Sequence, residues 1–285
     1  WYATDSRRAV SGYLVDVLLE KRGEKEPDDL SQVEAVQMGL RMQPVIGQIF
    51  EETTGVRVRD LDTIGEHRKE TWLRAHTDFE TEDGGLLEVK NFHASRIKDY
   101  SAPDEPMAIP EADMIQCIHE ATVFDKSHIY FAVLFGGQAF RWWRIDVTDQ
   151  MKDEFIQKAA QWWAMAQGTE MPVAENPDQA KKIYRTSVEG TVVSTAQVEM
   201  IVENLKMCKI TIKNLEKEEE QYQVILQNYM GSKTELITPY NETLVTWRAS
   251  KPTKTFDKDL FKQTMPDIYK QFEVEKPGAR RFLVK

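Results

Sequence analysis

Apolar positions recur at steps of three and four through Met38, Met42, Val45, Ile46, Ile49 and Phe50, and Gly55 stands where such a stripe would stop. That is the period a helix presents to a core, so residues 33 to 54 are predicted to be helical. Residues 5 to 22 read as an earlier helix ending in the basic turn KRG. The pattern then shortens towards a period of two. One or two strands are predicted between Val56 and Arg68, then WLRAHTDFE, then GLLEVKNF. A helix from about Pro110 to Phe124 leads into HIYFAVLF; Gly136 and Gly137 supply a two-residue hairpin turn, and QAFRWWRIDV returns as the next strand. An amphipathic helix over 149 to 168 closes the series. Helix, strands, helix, strands in this order predicts an α/β domain with a mixed central sheet flanked by helices.

TEMPVAENPDQA breaks the pattern, which divides the chain into a domain over 1–175 and a C-terminal extension over 176–285. In the extension Ser194 and Gln197 fit a capping box and Gly231 a helix stop. Between them Ile201, Leu205, Cys208, Ile212, Leu215, Tyr222, Leu226 and Tyr229 follow alternating steps of four and three, interrupted at Glu219. This is the heptad spacing of a coiled-coil seam, on a helix of about 36 residues and about 54 Å. ELITPYNETLVTWRA reads as a hairpin over about 234–248, and KTFDKDLFKQTMPDIYKQF as a basic amphipathic helix.

Composition narrows the classes. The 285 residues suffice for one domain with an extension and an ample core. Apolar runs such as IYFAVLF fall short of the roughly 18 residues that cross a bilayer, and no signal peptide opens the sequence, so a cytoplasmic protein without membrane partners is expected. Two cysteines, Cys117 and Cys208, exclude a disulfide framework and a four-cysteine zinc site. A formal charge of −10 argues against indiscriminate binding to polyanions, so contact with DNA has to be local. Residues 251 to 285 form a basic exception, with nine Lys or Arg against five Asp or Glu.

The stretch HTDFETEDGGLLEVKNFH, residues 76 to 93, carries the candidate chemistry. Asp78 and Glu88 fall on strands joined by EDGG, where hairpin pairing can bring their carboxylates to one side of the sheet. Hard oxygen ligands of this kind suit Mg²⁺ or Mn²⁺. Lys90 follows Glu88 by two, so strand alternation places its ammonium on the same face. A cation held there would lower the pKa of a bound water, and a lysine could orient that water or stabilise charge on a phosphate. The same spacing also fits an exposed acidic hairpin with a surface Glu–Lys pair. The apolar setting of LLEVKNF favours the first reading, because buried charges need a partner or a metal.

Asp78 with LEVK, preceded by GLRMQPVIGQIFEETTG and followed by MIQCIHEATV and IYFAVLFGG, resembles the YqaJ-type viral recombinases. That group belongs to the PD-(D/E)XK nuclease superfamily, with its restriction-endonuclease-like core, and contains phage lambda exonuclease. The resemblance covers roughly residues 1 to 165. It implies that Asp78 and Glu88 are metal ligands together with the backbone carbonyl of Val89, that two Mg²⁺ or Mn²⁺ ions bind, and that Lys90 is the catalytic lysine. It implies for Gln116 a place beside the site or the nucleic acid, and for Ser6, Arg7 and Arg8 contact with the terminal phosphate of DNA; an ordinary basic helix surface is the alternative for those three. At Gln43 the family pattern has a glutamate, so one metal site should be weakened. The implied function is 5′ to 3′ exonuclease action on the ends of linear duplex DNA in phage-type recombination, in a bacterial host. A homo-oligomer such as a ring-shaped trimer and a single-strand annealing protein are the implied partners. An endonuclease or nickase of the same fold, and a DNA-binding or assembly protein weakened at Gln43, are the alternatives. Of the five scattered histidines none forms a metal pair at helical spacing; His76 near Asp78 is the one singled out, with a packing or surface role as its alternative, and Trp142 and Trp143 are expected to pack in the core rather than stack on bases.

Overall fold

The computed structural model describes all residues except 62, 103–107, 276, 277, 279 and 285, so two basic residues of the tail, Lys276 and Lys285, lie outside the described residues. The chain divides into two compact units, Trp1–Tyr184 and Arg185–Lys285. The division falls at 184, where a boundary at 175 was expected, because the helix Pro177–Ile183 is tied to the first unit. Gln179 Nε2 donates to the Gly12 carbonyl at 3.0 Å, and Lys182 reaches Asp16 at 2.6 Å.

The first unit contains α1 (Ala3–Arg8), α2 (Leu14–Lys21), α3 (Glu34–Thr54), β1 (Val58–Asp60), β2 (Gly65–Glu66), β3 (Arg74–Ala75), β4 (Phe79–Thr81), β5 (Leu86–Phe92), α4 (Glu111–Val123), β6 (His128–Phe135), β7 (Ala139–Asp146), α5 (Asp149–Gln167) and α6 (Pro177–Ile183). Its main sheet has the order β1-β4-β5-β6-β7. Only β5 and β6 run parallel, with α4 as their crossover, and the other neighbours are antiparallel. The predicted mixed sheet flanked by helices is therefore present.

Strand β6 shows how the layers are set. All eight of its residues are buried, yet they serve opposite faces. Ile129, Phe131, Val133 and Phe135 pack with Cys117 and Ala121 of α4, while Tyr130, Ala132 and Leu134 pack with Ile46 and Phe50 of α3. A strand covered on both faces reads as a continuous apolar run, which is how it stands in the sequence. Outside α4 a third apolar group joins Trp1, Val17, Leu18, Leu73, Phe155 and Trp162, so that α2 and α5 form an outer helical layer.

Five expectations are corrected. The first helix is not continuous: Gly12 has φ 86°, and a π-helical turn over Ala9–Tyr13 separates α1 from α2. WLRAHTDFE is not one strand, because Arg74–Ala75 pairs with β2 in a separate two-stranded sheet and the main sheet resumes at Phe79. The hairpin between β6 and β7 has three loop residues, not two: Phe135 pairs with Ala139, and Gln138 N–H donates to the Phe135 carbonyl. In the second unit the cap of α7 (Ala196–Met230) is Thr195, whose side chain accepts from the Val198 N–H, while Ser194 bonds to Glu199. The rest of that unit holds β8 (Glu235–Ile237), β9 (Thr243–Thr246), α8 (Lys258–Thr264) and α9 (Pro266–Gln271). Pro266 splits the expected tail helix in two, since a proline lacks the N–H that would continue the first segment and is well placed to start the second. Among the described residues no helix is long and apolar enough to cross a membrane.

Helix α3 approaches the sheet unusually closely at Gly47, where an added Cβ would lie 2.9 Å from the Phe79 ring. Gln43 lies one turn earlier on the same helix face, and Asp78 is the neighbour of Phe79 in sequence, so this approach sets the distance between Gln43 and Asp78. Gly39, on the same helix, has open space around it. Gly39→Ala should therefore raise stability by about 0.5–1 kcal/mol through helix propensity. Gly47→Ala should lower it, because overpacking costs about 1–3 kcal/mol and outweighs the same gain. The urea midpoints of the two variants against the parent test this, with opposite signs expected.

Candidate active site

The site forms where the sheet opens. β4 and β5 pair through only two residue pairs, Phe79 with Leu87 and Glu80 with Leu86, so past Leu87 the edge of β5 has no strand beside it. The carboxylate of Asp78 fills that gap: Oδ2 accepts the Val89 N–H at 2.8 Å. In a strand the N–H and C=O of one residue project to the same edge, so the Val89 carbonyl faces the Asp78 side too. The second oxygen, Oδ1, accepts from Gln43 Nε2 at 2.6 Å. Asp78 thus joins β5 to α3.

Glu88 and Lys90 alternate with Leu87 and Val89, whose side chains pack towards α3, and so they project towards α4. Glu88 Oε1 accepts from the Lys90 ammonium and from Gln116 Nε2, the latter at 2.7 Å. Gln116 Nε2 also donates to Glu120 Oε1 at 2.9 Å, one turn further along α4. Glu88 is 3% exposed, Gln116 4% and Glu120 fully buried. Burial pushes the carboxyl pKa of Asp78 well above the usual range, and the charge of Glu88 pushes it further. Glu120 is raised by the same two causes in the same order. For Lys90 burial works against the charged form, but the carboxylates of Glu88 and Asp78 outweigh it and hold the pKa above the usual lysine value.

Three carboxyl groups thus gather around one ammonium, an excess of negative charge that a low-dielectric interior tolerates poorly. A hard divalent cation would relieve it, and every donor offered is oxygen, the type Mg²⁺ and Mn²⁺ prefer. Among the described residues no group of three or more His, Cys, Asp and Glu side chains is arranged to hold a metal. Asp78 and Glu88 would therefore be completed by the Val89 carbonyl, by the Gln43 amide oxygen turned from its present hydrogen bond, and by water, which Mg²⁺ readily retains.

The remaining candidates lie elsewhere or are occupied. Ser6 is 0% exposed and joins Trp1 Nε1 and His119 Nδ1, each at 2.9 Å, so it has no surface to offer a phosphate. Burial lowers the pKa of His119 to about 3, which keeps this buried pair neutral. Arg7 donates from Nε to Asp113 at 2.8 Å, and Arg8 holds both oxygens of Glu20 at 2.6 and 2.9 Å. Arg7 and Arg8 are thus paired with acids of the first unit while their side chains stay partly exposed. Gln116 is too buried to meet DNA and instead positions Glu88. His76 is exposed; Trp143 is buried with Nε1 donating to Ser101 Oγ at 3.1 Å, whereas Trp142, expected in the core with it, is exposed.

Residues 6–127 match the family model described as YqaJ-like viral recombinase domain. Over that span the chain is similar to the YqaJ-like viral recombinases. The matched span contains Gln43, Asp78, Glu88, Lys90, Gln116 and Glu120. The uncharacterized protein YqaJ of Bacillus subtilis (strain 168) is 25% identical over 280 residues, covering 95% of this chain and 85% of that protein. Among solved structures, an alkaline exonuclease from Laribacter hongkongensis aligns with a TM-score of 0.46 at 15% identity, over 59% of this chain and 87% of that one. A phage related exonuclease from Haemophilus somnus 129PT aligns with a TM-score of 0.41 at 10% identity, over 56% and 80% of the two chains.

Sequence reasoning missed one member of the polar cluster, Glu120. The available signal was its place four residues after Gln116, on a helix face otherwise made of Cys117 and Ala121. Its raised pKa has a consequence for stability. Below about pH 4.3, the ordinary glutamate value, folded and unfolded chains are both protonated there; as pH rises the unfolded chain ionises first and is favoured. Glu120→Gln keeps an oxygen for Gln116 and cannot ionise. The variant should therefore gain stability relative to the parent as pH rises from about 4 to 7 in chelator, and thermal melts at several pH values test it. A difference that does not change with pH would show that Glu120 is already ionised in the fold.

Proposed function

We propose that the protein is a divalent-metal-dependent deoxyribonuclease that resects the ends of linear duplex DNA, 5′ to 3′, in phage-type recombination, with two Mg²⁺ or Mn²⁺ ions per site. The observation that carries this reading is the convergence of Asp78, Glu88 and Lys90 at the open edge of β5. The match of residues 6–127 to the YqaJ-like viral recombinase family model supports it. Polarity and preference for ends rest on the family resemblance, as does an annealing protein as partner.

Asp78, Glu88 and the Val89 carbonyl would hold the ions, which when bound supply charge to activate water and to neutralise a phosphodiester. The Val89 N–H fixes the Asp78 carboxylate at the edge of β5, and Gln43 would turn to release its other oxygen to a cation. Lys90 is kept protonated by its carboxylate neighbours and can donate to a phosphate oxygen as charge develops there. Gln116 holds Glu88 in one orientation.

A second reading is favoured by one observation. The Gln43 amide donates to the oxygen of Asp78 that a cation would need, so the chain would bind DNA with weak turnover. Nucleotide release from linear duplex DNA, titrated with Mg²⁺ and with Mn²⁺ and reversed by chelator, separates the two. Asp78→Asn should reduce release by about 10²- to 10³-fold, equivalent to the several kcal/mol a metal contributes. Lys90→Ala should reduce the rate by about 10²-fold with the Mg²⁺ midpoint unchanged. Gln43→Glu should lower that midpoint and raise the rate by about 10- to 1000-fold. Unimpaired cleavage by Asp78→Asn would refute the site, and release that ignores chelator would refute the metal requirement.

A further inference from the structure

Helix α7 leaves a long apolar stripe exposed. At about 1.5 Å per residue its 35 residues span about 52 Å, and Met230 alone is buried. Along its heptad stripe Leu205 is half-buried, but Ile212, Leu215 and Tyr222 are 55%, 59% and 57% exposed. Structure extends the stripe by one position at the start, to Val198, since the helix begins at Ala196. The stripe then runs from Val198 to Tyr229 in unbroken steps of three and four, with Glu219 as its one charged member.

We propose that α7 pairs with α7 of a second copy of this chain, antiparallel, in the register that sets Cys208 against the partner's Glu219. Two features of the helix lead there. The first is Glu219 itself. In a parallel pair each stripe residue faces its own copy, so two Glu219 carboxylates would meet inside the apolar seam, a like-charge contact with a desolvation cost on both sides. In an antiparallel pair the two kinds of stripe position face each other instead, and Glu219 meets a thiol.

The second is the distribution of charge. Around the centre of α7 at Lys213, the segment 206–213 carries Lys206, Lys209 and Lys213 and no acid, and the segment 216–220 carries Glu216, Glu218, Glu219 and Glu220 with Lys217 as its one base; Glu199 and Glu203 lie nearer the start. Antiparallel pairing sets the lysine stretch of one copy beside the glutamate stretch of the other, whereas parallel pairing sets like beside like. The register is then fixed by the stripe. With Cys208 against the partner's Glu219, Ile212 faces Leu215, Leu205 faces Tyr222, and Val198 at one end faces Tyr229 at the other. No stripe position is left over. In the same register Lys209, flanking the seam, faces the partner's Glu216, and two-fold symmetry makes that contact twice. The inference is independent of the nuclease reading, because α7 lies outside the matched recombinase domain.

Oxidation of the full-length protein tests orientation and register together. Cys117 is buried and Cys208 exposed. Glu219→Cys adds a thiol about 16 Å from Cys208 along the same helix, too far for a disulfide within one chain. Under mild oxidation Glu219→Cys should give a covalent dimer, and the parent should not. Adding Leu215→Asp should abolish the cross-link. A parent that cross-links through Cys208 would establish a parallel pair and overturn the proposal. A Glu219→Cys protein that stays uncross-linked would overturn it as well, showing that the seam is covered by another part of the chain or by a different protein. Sedimentation supplies a second measurement without cysteine chemistry. Lys209→Glu or Glu216→Lys alone should weaken association by about two- to thirtyfold, and the double reversal should restore it. Failure of the double variant to recover would also count against this register.

Discussion

The hydrogen bond from the Val89 N–H to Asp78 is the contact on which the site depends. An edge with an unpaired N–H inside a protein is costly, and here a carboxylate satisfies it where the neighbouring strand has ended. The consequence is geometric. A side chain held in the plane of the sheet, at its opening, can be reached from both faces, by Gln43 from α3 and by the charges of Glu88 and Lys90 on the α4 side. Neither face of a fully paired sheet would offer that meeting point.

The electrostatics follow from this placement. Asp78, Glu88 and Glu120 share one ammonium in a region largely closed to water, and the raised pKa values of Asp78 and Glu120 express first their burial and then the charge of Glu88. Such an arrangement is poor as a stabilising ion network, since replacing one carboxylate by an amide would relieve it. It makes sense as a receptor for positive charge. Gln43 is then a partial adaptation: it keeps the hydrogen bond to Asp78 while adding no fourth negative charge.

The front of the chain follows the opposite principle. Arg7, Arg8 and Lys21 are each matched to an acid, Asp113, Glu20 and Asp5, and Arg22 donates to the Met165 and Glu170 carbonyls. These pairs tie α1 and α2 to their neighbours, with Asp113 also accepting the Tyr100 hydroxyl at 2.6 Å. These cations serve first to lock helices together, so the stretch is less basic in the fold than it looks in isolation.

Much of this was already legible in the sequence. Period and punctuation determined the elements: α3, β6 and α7 form where their spacing predicts, although only β6 is buried along its whole run, Met38 and Val45 of the α3 stripe are exposed, and α7 buries Met230 alone. The pairing of Glu88 with Lys90 was readable too, since alternation along a single strand is a local property. What only the tertiary structure decided is everything that depends on two distant segments meeting. Ser6 looked available until Trp1 and His119 enclosed it, and Arg7 and Arg8 until acids from α4 and α2 paired with them. Glu120 joined the cluster only because α4 crosses the face of β5 at Gln116. Hydrophobic period states which side of an element turns inward, but which partner waits there is set by packing between elements, and no local pattern records it.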